Sequence, residues 1–166
     1  MGESLIPRFI ALGREKKYLR YVVEKGELHS RMQLISDKVV SDHEKLFTKL
    51  ELVRAESITS SENEALVHIR SCYNNKFLVL SKDVENWVVA EADEPKEDRS
   101  KWSCTLFRLG RGQQSVRLFL QAAGAEHGVV VDATEKCLTI GNYNRVLTFF
   151  LIIDSVLQHN SANLFK

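Results

Sequence analysis

The chain is written as a series of short apolar or aromatic runs, each cut off by charged or turn-forming residues, with no sustained helical periodicity. That rhythm favours strands and excludes a helical bundle. The first strands are expected at Arg8–Leu12, Lys17–Val23, Met32–Ile35 and Leu46–Val53. After the polar stretch Ser57–Glu64 the rhythm restarts with Ala65–Arg70, Lys76–Leu80, Trp87–Ala90 and Trp102–Leu109. A third passage runs through Ser115–Leu120, Gly128–Val131, Cys137–Ile140 and Leu147–Ile153. The reading is an all-β domain of about a dozen short strands.

One motif recurs around Leu19, Leu78 and Val130, roughly 50 to 60 residues apart. Each passage closes on an apolar-aromatic pair: Leu46-Phe47, Leu106-Phe107 and Phe149-Phe150. A single four-strand unit cannot bury its own apolar face, whereas three such units closed around an axis can, and they leave few exposed edges. A two-sheet sandwich with look-alike strands is the alternative.

Composition narrows function more than fold. The 166 residues are 44% apolar and 27% charged, as in an ordinary globular domain. A chain of that length buries about 70% of its unfolded surface. Lysines and arginines number 23 against 22 aspartates and glutamates, so the basic field expected of a nucleic-acid or membrane-surface binder is missing. The longest apolar run, Phe149–Ile153, is too short to span a bilayer. Three widely spaced cysteines, Cys72, Cys104 and Cys137, suit neither a disulfide framework nor a zinc site. With no secretory pattern read at the first residues and no Asn-x-Ser/Thr acceptor, the expected setting is cytoplasmic or nucleocytoplasmic.

Catalytic chemistry finds little purchase. His29, His43, His68, His127 and His159 stand one by one, none at ligand spacing to cysteine or carboxylate. His68 reads as a satisfied interior or edge histidine in a strand. Gly110-Arg111-Gly112 precedes no helix and reads as a loop between strands. Trp102, alternating with Cys104 ahead of Phe107, reads as core. The charge run Glu91–Lys101 reads as a solvated loop or one short helical turn, without metal-ligand spacing. No nucleophile triad or carboxylate pair has a supporting context, so the chain is read as a non-enzyme without metal or cofactor.

Two long segments carry a resemblance. Leu66–Val79, reading LVHIRSCYNNKFLV, and Ala90–Phe107, reading AEADEPKEDRSKWSCTLF, closely resemble the amaranthin-type plant lectins. Leu5–Leu12 and Lys17–Tyr21 agree with the same family, and the likeness fades in the third passage. It implies a β-trefoil of three four-stranded repeats, about 5–56, 64–111 and 114–154, within a domain spanning 5–154, with 155–166 as a tail or linker. It also implies non-catalytic binding of galactose on N-acetylgalactosamine, the T-antigen disaccharide, in a plant stress or defence setting. The absence of Gln-x-Trp argues against the ricin-type branch of such lectins. After the segment matching Leu78-Val79, the family typically reads Arg-Trp-Ser-Pro-Asn-His-Tyr-Trp; here the residues are Leu80-Ser81-Lys82-Asp83-Val84-Glu85-Asn86-Trp87. Trp87 alone is kept, so the implied sugar site is remodelled.

A galactose-like ligand offers an apolar C–H face and hydroxyl edges, which calls for an aromatic ring beside a few fixed polar groups. Asp83, Glu85, Asn86 and Trp87 supply those ingredients. Trp87 can equally begin a strand and plug the core, with Asp83 and Asn86 shaping the turn. Tyr73 and Asn75 form a second candidate, although Asn74-Asn75 is also a good tight turn because asparagine tolerates the left-handed conformation. Shallow lectin sites bind weakly, so avidity is expected from a homo-oligomer or a fused second domain. The competing reading is a protein-interaction or targeting module, such as that of an aerolysin-like pore-forming chimera, that has lost its sugar site. A protease inhibitor on the same scaffold is a third reading; it lacks the bracing disulfides.

Overall fold

Twelve strands pair antiparallel in a single connected sheet in a computed structural model, which describes residues 4–12, 17–22, 31–35, 45–57, 66–111, 115–132, 136–141 and 145–153. They are β1 (Ser4–Leu12), β2 (Tyr18–Tyr21), β3 (Met32–Ile35), β4 (Lys49–Arg54), β5 (Leu66–Ser71) and β6 (Phe77–Leu80), followed by β7 (Val88–Ala92), β8 (Phe107–Arg111), β9 (Val116–Ala122), β10 (Ala125–Val131), β11 (Leu138–Gly141) and β12 (Thr148–Ile153). One helical turn, α1 (Lys45–Thr48), precedes β4. The all-β reading holds.

Six strands form a closed ring. β1 pairs with β4, β4 with β5, β5 with β8, β8 with β9, β9 with β12, and β12 returns to β1. Such closure leaves no free edge in the ring. The other six strands form the hairpins β2–β3, β6–β7 and β10–β11. Three single bridges, Arg31–Val89, Gln33–Cys137 and Trp87–Thr139, stitch each hairpin to the other two.

The core fills ring and hairpins together. Leu50, Leu52, Ile69, Phe107, Leu120 and Phe149 come from the ring, and Leu19, Met32, Leu78, Val88, Val129 and Leu138 from the hairpins. Each such burial contributes about 1.5–3 kcal/mol. β9 is buried along its length except at Arg117, which is why its sequence reads as a nearly continuous apolar run. Gly128 lies so close to Val146 that a Cβ would stand 2.3 Å from its Cγ2.

Several expectations are corrected. Leu46–Val53 is not one strand: the helical turn carries Phe47 onto the Tyr73 ring, 4.5 Å between centroids, and β4 starts only at Lys49. Tertiary contact overrides local strand preference there. Gly110 and Arg111 are strand rather than loop, and a Cβ on Gly110 would press on the Phe119 ring at 2.7 Å. Trp102 is not core but 44% exposed. Residues 99–103 are turns and a bend, because the Lys101 carbonyl accepts the amides of both Cys104 and Ala123, so the strand begins only at Phe107. Cys104 and Phe107 are fully buried. Val23 and the proposed tail, 155–166, lie outside the described residues.

Candidate functional site

The loop joining β6 to β7 is fixed by its own backbone. The Ser81 amide donates to the Trp87 carbonyl at 2.8 Å, and the Trp87 amide donates to the Val84 carbonyl at 3.3 Å. The Ser81 hydroxyl accepts the amides of Asp83 and Val84, both at 3.1 Å, a local turn that serine favours. Asn86 has φ 67°, a left-handed conformation that asparagine adopts more readily than most residues. Its carbonyl accepts the Ile140 amide at 2.8 Å, and Trp87 bridges to Thr139, so the loop is pinned to β11.

Glu85 and Asn86 are exposed and Trp87 is half-buried. Together with Asp132, Thr139 and Arg145 they edge a depression of about 550 Å³ between the second and third hairpins. That is a ligand-sized volume. The Arg31 guanidinium lies 5.7 Å from the centre of the Trp87 ring. Thus Trp87 is anchored by a strand bridge to Thr139 and borders the depression, half-buried rather than plugging the core.

The six predicted residues divide among three places. Glu85, Asn86 and Trp87 share this depression, whereas Asp83 borders a separate one with Lys82 and Trp102. Tyr73 and Asn75 line neither. Tyr73 is 38% exposed and packs on Tyr21 at 4.9 Å and on Phe47. Asn75 has φ 59° at the β5–β6 turn, where its amide donates to the Ser71 carbonyl at 2.8 Å. Asn74 completes that turn by accepting the Lys76 amide and donating to the Ala90 carbonyl.

His68 is the interior histidine that its strand position suggested, 1% exposed with both ring nitrogens partnered. Nδ1 meets Thr105 Oγ1 and Nε2 meets Glu97 Oε2, each at 2.8 Å. Glu97 also accepts the amides of Glu56 and Ser57, at 2.8 and 2.6 Å, and the Ser57 hydroxyl. Burial pushes its carboxyl up, but the Ser57 hydroxyl, His68 and the two amides outweigh that and hold it at about 2. The serine bonds the carboxylate rather than the histidine, so the arrangement is a brace and not a nucleophile triad. Among the described residues no group of three or more His, Cys, Asp or Glu side chains could hold a metal ion.

The comparisons with known proteins agree on the scaffold. The Agglutinin domain family model matches residues 6–121, most of the chain, and the chain belongs to that family. Agglutinins are lectins, which points to carbohydrate binding rather than catalysis. Among curated protein sequences none matches the chain. Among the solved structures that share the fold are these three. A GlcNAcα1-4Gal-releasing endo-β-galactosidase from Clostridium perfringens has TM-score 0.63 and 11% identity, over 89% of this chain and 32% of its own. A Caenorhabditis elegans protein of unknown function has TM-score 0.59 and 7% identity, over 92% and 96%. The SDF2-like protein of Arabidopsis thaliana has TM-score 0.55 and 12% identity, over 93% and 100%. The chain therefore spans about a third of the clostridial enzyme's length, and the likeness is one of fold alone.

Proposed function

We propose that this chain is a β-trefoil lectin domain, with repeats at about 5–56, 64–111 and 114–154, that binds galactose- or N-acetylgalactosamine-type glycans without catalysis. The single observation that carries the reading is a ligand-sized depression edged by Trp87, Glu85 and Asn86 in a chain of the Agglutinin family; the resemblance to amaranthin-type lectins puts their sugar loop at the same residues. The indole supplies a surface for the sugar's C–H face, and Glu85, Asn86, Asp132 and Thr139 supply hydrogen-bond partners for its hydroxyls. The ring of six strands with three mutually bridged hairpins supports the threefold architecture. Avidity comes from self-association or from a fused domain, in a cytoplasmic or nucleocytoplasmic stress or defence setting. A glycan array probed with the full chain tests this: galactose-terminated glycans bind and free galactose displaces them, whereas an array without hits refutes it.

A second reading has two observations in its favour. Arg31 lies over the Trp87 ring, and among the family's loop residues Trp87 alone is kept. On this reading the trefoil is a protein-interaction or targeting module. A stable dimer in light scattering, together with an empty array, selects it.

A further inference from the structure

The chain has two tryptophans, and each borders its own depression beside the 81–87 loop. Trp87 belongs to the site already described. Trp102 does not, and its exposure has no role in packing the core. Among the described residues, Trp102 and Tyr73 are the exposed large hydrophobic side chains; Tyr73 packs against two aromatic rings.

Trp102 is displayed on a braced frame. The carbonyls on its N-terminal side, Arg99 and Lys101, accept the amides of Gly124 and Ala123, each at 2.9 Å, from the β9–β10 turn. Asp98 closes the turn by accepting the Ser100 hydroxyl at 2.6 Å and its amide at 3.0 Å. Cys104 and Thr105 are fully buried immediately beyond it. A backbone braced in this way displays the exposed Trp102 indole from a fixed base, so binding does not have to order the turn that carries it.

The depression beneath it measures about 500 Å³ and is bordered by Asp83, Glu91, Asp93, Glu94 and Ser103. Carboxylates accept sugar hydroxyls at their strongest geometry, and the serine both donates and accepts. Lys82 and Lys96 are the cations of the lining, against four carboxylates, and Lys76 pairs with Asp93. With Lys76 counted, the balance leaves a net of one negative charge, which disfavours an anionic sugar. Lys82 Nζ lies 5.3 Å from the Trp102 ring centre on an exposed, flexible stem that can swing aside.

We infer that the Trp102 depression is a second saccharide site, taking an uncharged hexose whose C–H face lies on the indole while Asp83, Asp93 and Glu94 receive its hydroxyls. The inference rests on the lectin reading of the chain but not on the Trp87 depression.

Two tryptophans in two depressions make the sites separable. Trp87→Phe leaves Trp102 as the sole indole reporter, and Trp102→Phe leaves Trp87. Each full-chain variant is titrated with galactose, glucose, mannose, N-acetylgalactosamine and N-acetylglucosamine, and with glucuronate as the anionic counterpart, following tryptophan emission. The expected result is a saturable millimolar response of Trp102 to at least one uncharged hexose, at least tenfold weaker for glucuronate. In calorimetry, Trp102→Ala lowers the stoichiometry for that hexose from two to one if both depressions bind it, and abolishes binding if Trp102 alone does. This variant does not depend on Trp87→Phe folding. A silent Trp102 with a responding Trp87 overturns the inference and leaves the lectin reading standing. Silence of both indoles overturns both. An equal response of Trp102 to glucuronate overturns the uncharged-ligand assignment.

Discussion

Replacing Glu97 by glutamine removes one charge and keeps the shape, which makes it a sharp probe of the brace between the β4–β5 connection and the 93–105 loop. In the folded chain this carboxylate accepts bonds from Glu56, Ser57 and His68. A carboxyl held at about 2 instead of 4.5 is worth on the order of 3 kcal/mol of stability. Because the folded value is depressed, that contribution is fully present above pH 4.5 and is lost as pH falls towards 2. Glu97→Gln is therefore expected to cost up to about 3 kcal/mol at pH 7, at most roughly 6–12 °C in melting temperature for a domain of this size, since the amide oxygen still accepts some of these bonds. Urea denaturation of wild type and variant at pH 7, 5, 4 and 3 measures the gap. It should stay constant from pH 7 to 5 and shrink by more than half by pH 3. A gap below about 0.5 kcal/mol at neutral pH, or one that does not change with pH, refutes the argument.

Other substitutions test separate links. Trp87→Ala should weaken glycan binding at least tenfold, about 1.4 kcal/mol, with the circular-dichroism spectrum unchanged. Gly128→Ala forces a methyl group against Val146 and should cost about 1–3 kcal/mol in denaturant melts. Asn75→Ala puts alanine at φ 59°, with an expected cost of about 1 kcal/mol, whereas Asn75→Gly should be close to neutral.

The strands were legible because each is a short β-forming run bounded by turn residues, as in Phe77–Leu80 between Asn75 and Ser81. The loop between β6 and β7 was legible for the same reason. What the sequence hides is set by partners far along the chain. Trp102 looked like core because Cys104 alternates with it, yet its turn is held by amides from Ala123 and Gly124 in the β9–β10 turn. Glu97 looked like one more solvated charge, and its partners lie 29, 40 and 41 residues away. The division of the candidate site was equally hidden: Asp83 and Glu85 are two residues apart but border different depressions, because the pinned turn at 81–87 sends them apart. Tyr73 offered an aromatic ring and Asn75 a polar group, but the turn that joins them also places them beside neither depression.

The most direct test of the lectin account is a two-dimensional amide spectrum of the full chain titrated with the disaccharide of galactose on N-acetylgalactosamine. The account predicts saturable shifts at the indole N–H of Trp87 and at the backbone amides of Glu85, Asn86, Thr139 and Ile140. A spectrum unmoved at those positions up to saturating disaccharide would contradict it.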